Sequence, residues 1–259
     1  MAIACGVTPQ WTIRSDEGRK HAATKSIVQD SIILNYDAGV IDSYGGTGST
    51  WTDLTGNNNL TLYNSPAFTS DNGGVLSFDG ANSYAANTSL SGAITSAGQS
   101  YKTFCCFANL NTVSAWPTDS IFRLNSTSST SYQLFFSSRN FSNTRTLSAG
   151  YYSGDGGGSP AVLNYTHDGS IYGDYHMYTV RLYDNVIDLF IDEELVASGS
   201  PKISTAKDAT IDNIVLGNSL ITDSSFLQGS ISSAVLYLKK LSNTEIKQNY
   251  NVMRHRFGV

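Results

Sequence analysis

Charged residues and cysteine are both scarce in this sequence. Only 14% of the 259 residues are Asp, Glu, Lys or Arg, against roughly 25% in average soluble domains. The net charge of −5 gives no electrostatic reason to expect nucleic acid as a partner. Cys5, Cys105 and Cys106 form no disulfide or metal-binding spacing, so we expect free thiols in a chain made in a reducing compartment.

Long apolar segments are also missing. No run of about 18 apolar residues exists, so we expect no insertion into a membrane. The opening "MAIACGVTPQW" lacks a charged stretch followed by a full apolar one, and we therefore expect no signal peptide.

Short β-rich runs separated by Gly, Asn, Asp and Ser clusters dominate the chain from residue 26 onward, which predicts one all-β sandwich or barrel over 26–259. Residues 1–25 show no period and are predicted to be an N-terminal arm or linker. The net charge is +2 over 1–25, +4 over 239–259 and −11 between them. The basic ends either dock on an acidic surface or are ordinary solvated faces.

One helix is predicted near the end of the sequence. Ser242 and Glu245 have the spacing of a capping box, in which each residue bonds the backbone of the other. Ile246, Tyr250 and Met253 follow at helical spacing. We expect a short amphipathic helix packed on the sandwich.

A hairpin is predicted over "HMYTVRLYDNVIDLFID", because two alternating runs flank Asp184-Asn185, residue types that tolerate positive φ. A two-residue turn there places Arg181 opposite Asp188, which predicts a structural ion pair worth roughly 0.2–1 kcal/mol.

A second turn follows the strand. A turn at Glu193-Glu194 keeps Ile191 opposite Val196, both facing inward, and we favour it. The alternative, a turn at Asp192-Glu193, places Glu194 opposite Ile191 on the core face, which is costly.

Five segments, in order along residues 27–259, resemble laminin-G-like, concanavalin-A-like domains of the kind found in tailed-phage virion proteins. They are "IVQDSIILNYDAG" (27–39), "SYGGTGSTWTDLTGNNNLTL" (43–62), "NGGVLSFDGANSYA" (72–85), the double hairpin 176–198, and "FLQGSISSAVLYLKKLSNTEIKQNYN" (226–251). The final "RFGV" is also similar to endings of the phage versions. Glu193 stands where many relatives have Gly, which suggests a looser turn here.

The resemblance implies a two-sheet antiparallel jelly-roll sandwich with one short C-terminal helix. The family includes lectins, glucanases, adhesion modules and capsid or tail proteins, so the fold does not decide the function.

Catalytic patterns are absent from the sequence. The glucanases of this superfamily carry Glu-x-Asp-x-x-Glu on one strand, and nothing here matches it. Asp188 and Asp192 would lie about 13 Å apart on a strand, too far for the usual carboxylate pairs. The histidines show no HxxxH spacing. We therefore predict that the chain is not an enzyme.

Calcium is the metal that the resemblance makes possible, since laminin-G-like domains often bind it at a sheet rim. The oxygen-bearing candidates are Asp53 with Asn57, Asp71 and Asp79. Asp and Asn in turns more often serve backbone geometry, so we predict no cofactor and keep calcium as an alternative.

We predict a non-enzymatic structural protein of a phage particle, a decoration or fibre-like module located in the virion and made in the host cytoplasm. An arm carrying Trp11, Arg14, Arg19 and Lys20 would dock it on capsid or tail subunits. Other virion proteins, further copies of the chain and host surface glycans are the expected partners. The alternative is a carbohydrate-binding, lectin-like adhesion module, because "AGYYSGDGGGSP" and "VSAWPTDS" place aromatic residues in loops.

Overall fold

The computed structural model describes residues 26–91, 101–111, 119–125, 132–141, 144–151, 161–200, 211–219 and 225–259. These residues form two antiparallel β-sheets and one α-helix. The predicted all-β sandwich with a C-terminal helix is therefore confirmed.

The first sheet carries the predicted hairpins at one edge. In spatial order it contains β14 (Glu194–Gly199), β13 (Val186–Ile191), β12 (Tyr175–Tyr183), β7 (Lys102–Leu110), β16 (Gln228–Tyr237), β5 (Val75–Asp79) and β4 (Ala67–Thr69). The long strand β16 pairs with β5 through its first half and with β1 (Ile32–Asp37) through its second half.

The second sheet lies against the first. In spatial order it contains β11 (Ala161–His167), β10 (Thr144–Tyr151), β9 (Tyr132–Phe141), β8 (Asp119–Asn125), β15 (Asn213–Leu216), β6 (Tyr84–Asn87), β3 (Leu60–Tyr63) and β2 (Thr50–Trp51).

The core fills the space between the sheets because apolar residues alternate along the strands. In β3, Leu60 and Leu62 are buried whereas Thr61 and Tyr63 are exposed. Phe104 of the first sheet stacks on Phe122 of the second, with ring centroids 3.6 Å apart. Burial of each such side chain stabilises the fold by roughly 1.5–3 kcal/mol.

A second apolar cluster lies on the outer face of the first sheet, where helix α1 (Asn243–Met253) covers it. Ile246 and Met253 of the helix pack with Phe107 and Met177 of the sheet. Cys105 in this cluster and its neighbour Cys106 are buried free thiols, and burial raises the pKa of Cys105 to about 11. Cys5 lies outside the described residues. None of the described helices is long and apolar enough to cross a membrane.

Arg256 fixes the C-terminal segment to the first strand, an interaction that was not predicted from the sequence. Its Nη1 donates to both carboxylate oxygens of Asp37, at 2.7 and 2.8 Å, and its Nη2 donates to Ser232 Oγ at 2.8 Å. A side chain at Gly39 would collide with the guanidinium group. The "RFGV" ending therefore begins with the arginine of a buried ion pair that ties the C-terminal segment to β1.

Candidate functional site

The predicted ion pair forms at the centre of the first hairpin. Arg181 and Asp188 are Cα partners in the β12–β13 ladder, and Arg181 Nη2 lies 2.6 Å from Asp188 Oδ2. Asp184 and Asn185 both have positive φ in the turn. The pair is buried, and Arg181 Nη1 also donates to the carbonyl of Leu241 at 2.7 Å. It therefore connects the hairpin to the start of α1 rather than forming part of a cleft.

The capping residues lie where α1 begins. The Glu245 backbone amide donates to Ser242 Oγ at 3.2 Å, and the Ser242 amide donates to Glu245 Oε2 at 2.8 Å. Partial burial raises the pKa of Glu245, but hydrogen bonds from Lys239 and Ser242 outweigh this effect and the net pKa is lowered. Both residues are structural.

The predicted second turn is wrong. The turn occupies Asp192-Glu193, and Ile191 pairs with Glu194 instead of Val196. A register shift makes Val196 an extra residue in β14, and Glu194 at the sheet edge is exposed, so the expected burial cost does not arise.

The looser turn expected at Glu193 is also wrong. The turn has only two residues, and its positive φ falls on Asp192, so position 193 does not need the backbone freedom of a glycine. The Asp192 carboxylate lies 2.8 Å from His176 Nδ1 and accepts the Met177 amide at 2.9 Å. These contacts hold a tight turn without glycine.

The residues predicted to dock the chain, Trp11, Arg14, Arg19 and Lys20, lie outside the described residues. Docking through an arm over 1–25 stays a prediction.

Asp53, the central residue among the calcium candidates, organises its own loop. Its Oδ1 accepts the amides of Asn35 and Thr55 at 2.9 and 3.0 Å, and its Oδ2 accepts the Thr55 hydroxyl at 2.6 Å. A buried carboxylate with these donors holds the turn that follows Trp51.

Asp79 acts in the same way at the β5–β6 turn. Its Oδ1 accepts the amides of Ala81, Asn82 and Ser83 at 2.9–3.0 Å. Burial raises the pKa of Asp79, but these hydrogen bonds prevail and lower it far below its ordinary value. Asp71 and Asn57 lie in other turns with local contacts. In the described part of the chain, no three His, Cys, Asp or Glu side chains are placed to hold a metal ion.

One exposed and two partly buried aromatic rings lie together at the surface of the second sheet. Tyr63 of β3 and Tyr84 of β6 are Cα partners, and their rings stack with centroids 4.5 Å apart and planes 9° apart. Phe226 lies 6.3 Å beyond Tyr84. We call Tyr63, Tyr84 and Phe226 the aromatic platform. Tyr63 is 38% exposed.

The side of Tyr63 that faces away from Tyr84 is bordered by glycine. The amide of Leu62 donates to the Ser49 carbonyl at 2.7 Å, which brings Gly48 next to Tyr63 along the antiparallel pair. A Cβ atom at Gly48 would have no neighbour within 4 Å. Buried Tyr44 donates to the Gly48 carbonyl at 3.0 Å and fixes the loop. The platform therefore has an open, preformed border.

Threonine hydroxyls lie beside the rings on the same face. Thr61 is two residues before Tyr63 and is the Cα partner of Thr50, and both are exposed. A hydroxyl group supplies one donor and two acceptor positions. Aromatic rings next to exposed hydroxyls can bind a ligand that has apolar faces and polar edges.

Arg123 lies further along the same face, on β8. Its Nε donates to Ser120 Oγ at 3.0 Å, and its guanidinium carbon is 5.5 Å from the centre of the Phe135 ring. Phe135 in turn covers Gly150, where a Cβ would collide with the ring. This centre of the face is buried and ordered by packing.

Asp119, at the start of β8, is a buried acid. It is 3% exposed, and its Oδ2 has no hydrogen-bond partner within the described ranges. Burial raises its pKa to about 7, although a hydrogen bond from the Gln228 amide opposes the shift. Its Cα partner Ser138 bonds to Tyr172 Oη at 3.0 Å.

None of the platform residues was predicted from the sequence. Alternation in "NLTLY" does point Tyr63 outward, but its pairing with Tyr84 depends on which strands become neighbours. The proximity of Phe226 comes from the fold alone.

A family model described as the concanavalin A-like lectin/glucanases superfamily matches residues 79–247. Among curated proteins, none matches the sequence.

Solved structures share the fold at low identity. A Trypanosoma rangeli sialidase in complex with sialic acid superposes with a TM-score of 0.63 and 13% identity, covering 87% of this chain and 33% of that one. A second structure comes from work on cell entry of botulinum neurotoxin type C, which depends on interaction with two ganglioside molecules. It superposes with a TM-score of 0.65 and 16% identity, covering 86% of this chain and 51% of that one. The binding domain of botulinum neurotoxin DC in complex with rat synaptotagmin II superposes with a TM-score of 0.66 and 14% identity, covering 87% of this chain and 52% of that one. The chain thus spans between a third and a half of these proteins.

These structures correct the prediction that the chain is not an enzyme. The fold occurs in a sialidase chain as well as in toxin binding domains. The missing Glu-x-Asp-x-x-Glu pattern excludes one arrangement of catalytic carboxylates, and other enzymes use other residues. The absence of that pattern was therefore too narrow a reason to exclude enzymatic activity.

Proposed function

The chain belongs to the concanavalin A-like lectin/glucanase superfamily, and on that premise we propose that it is a carbohydrate-binding adhesion module. The single observation that carries this proposal is the aromatic platform beside Thr50 and Thr61. The C–H face of a sugar ring packs on an aromatic ring, while its hydroxyl groups exchange hydrogen bonds with polar neighbours.

The position of the platform supports this use. Tyr63 is exposed beside Gly48, where a side chain would meet nothing. Its ring is held by Tyr84 before any ligand arrives, and a preformed site loses less conformational freedom on binding. The ganglioside dependence reported for botulinum neurotoxin type C agrees with glycan binding by this fold.

Glycan-array screening followed by calorimetric titration tests the proposal. Tyr63→Ala should weaken binding of the best glycan at least about ten-fold, as expected for loss of a central aromatic contact, and Tyr63→Phe should retain most of it. Tyr101→Ala is the matched control, since Tyr101 is similarly exposed but lies at the hairpin tip of the first sheet, where it bonds Asp184. The absence of any bound glycan, or equal binding by Tyr63→Ala, would refute the proposal.

A second candidate function is that of a structural module of a tailed-phage particle. It is favoured by the five sequence segments that resemble phage virion proteins and follow the same order along the chain. These segments include the Asp53 loop, the Asp79 turn and the capped helix α1, which hold the fold together. In this proposal residues 1–25 attach the chain to capsid or tail subunits, several copies assemble, and the glycan-binding face meets the host.

Particle purification tests the second candidate. The chain should co-purify with particles in fixed, stoichiometric copies, and deletion of residues 1–25 should release it. A control variant with Trp11, Arg14, Arg19 and Lys20 replaced by Ser in the full-length chain separates docking chemistry from arm length. Full incorporation of the deleted form would refute attachment through the arm.

A further inference from the structure

We infer that the ligand of the aromatic platform is a neutral glycan rather than a sialylated or sulfated one. The inference rests on the proposed carbohydrate-binding function and narrows its ligand class. It differs from the chemistry of the sialidase that shares the fold, whose structure contains sialic acid, an acidic sugar.

The described residues that border Tyr63 carry no charge. Residues 47–50 and 61–65 form this border. They are Thr, Ser, Asn and Tyr residues, together with one Gly and one buried Leu. On β3 and β6, the strands that carry the two tyrosines, every residue is uncharged. An acidic sugar placed here would therefore find no described cation beside it.

Among the described residues, the nearest cation on the same face is Arg123, and it is too far away to serve the platform. In the row of Cα partners that starts at Thr61, Ala86 and Val215 come before Arg123. Tyr84 is two strand spacings away from Arg123 and two residues further along its strand, which corresponds to about 12 Å between their Cα atoms. Arg123 is also buried, with Nε bonded to Ser120.

Asp79, in the β5–β6 turn that precedes Tyr84, is an acid and does not attract an anionic ligand. The net charge of the whole chain is −5, which disfavours the approach of anionic ligands at long range. A carboxylate that lost part of its hydration on the platform would gain no charged partner there. A neutral sugar needs only the ring faces and the Thr50 and Thr61 hydroxyls.

The test is an array on which each sialylated or sulfated glycan is printed beside its neutral parent. The full-length chain should bind neutral parents, and the added acidic group should leave the signal unchanged or reduce it. Titration of the best neutral glycan at low and high salt should change the affinity by less than about two-fold, because screening acts on charges.

The outcomes separate the two proposals. Binding confined to acidic glycans, with an affinity that falls steeply with salt, would overturn the neutral ligand and leave carbohydrate binding intact. Binding to neutral glycans that survives Tyr63→Ala would overturn the platform as its location. A chain that binds no glycan on the array refutes the proposed function itself.

Discussion

Replacement of Asp119 by Asn should flatten the pH dependence of the free energy of unfolding between about pH 4 and pH 7. In the folded protein the carboxyl group is buried with Oδ2 unbonded within the described ranges, and its pKa is raised from 3.8 to about 7. The folded state therefore keeps a proton that the unfolded chain releases. Stability should fall as the pH rises through this window.

The size of the effect follows from the shift. One pKa unit corresponds to 1.36 kcal/mol, so the shift of Asp119 amounts to about 4 kcal/mol lost between pH 4 and pH 8. His167 contributes with the opposite sign, because burial lowers its pKa and the unfolded chain then binds more protons at low pH. The variant retains His167, so the difference between the two proteins isolates Asp119.

Urea denaturation at several pH values measures how steeply the free energy of unfolding changes with pH. Asn keeps an oxygen for the Gln228 amide. Any pH-independent cost of its buried amide group shifts the free energy of unfolding equally at every pH and leaves this slope unchanged. Asp174→Asn is the control, because Asp174 is exposed in the nearby loop. Equal slopes for wild type and Asp119→Asn would refute the reasoning.

Three further predictions concern stability and are measured by denaturant unfolding. Arg181→Ala should cost about 3–5 kcal/mol because it leaves Asp188 buried without its partner, whereas Arg181→Met combined with Asp188→Leu should recover most of that loss; equal costs for both would contradict this. Ser242→Ala should cost about 1 kcal/mol through loss of the cap, and exposed Thr244→Ala less than about 0.5 kcal/mol. Gly39→Ala should cost about 1–3 kcal/mol because its methyl group meets the Arg256 guanidinium, while Gly45→Ala, with nothing within 4 Å, should be close to neutral.

Local sequence patterns predicted the fold class and the first hairpin well. The alternation in β12 and β13 and the Asp184-Asn185 turn are enough to set the pairing of Arg181 with Asp188. The capping box likewise depends on residues only three apart. Each of these features is decided within one short segment.

Features that depend on distant partners were missed or wrong. The second turn lies at Asp192-Glu193 because His176 and Met177, on the preceding strand, hold the Asp192 carboxylate. The platform needs the β3–β6 pairing and the approach of Phe226. Burial of Asp119 depends on the packing of the sandwich. None of these arrangements has a signature in a single stretch of sequence.

The long strand β16 has a consequence for synthesis of the protein. It pairs with β1, β5 and β7, so Ile32 meets Tyr237 and Asp79 meets Gln228. The ribosome synthesises β1, β5 and β7 well before β16, so until β16 is made these three strands lack the strand with which they pair. Such distant pairing slows folding and leaves strand edges exposed to aggregation. Completion of the first sheet should therefore be a late event, after residue 237 has left the ribosome.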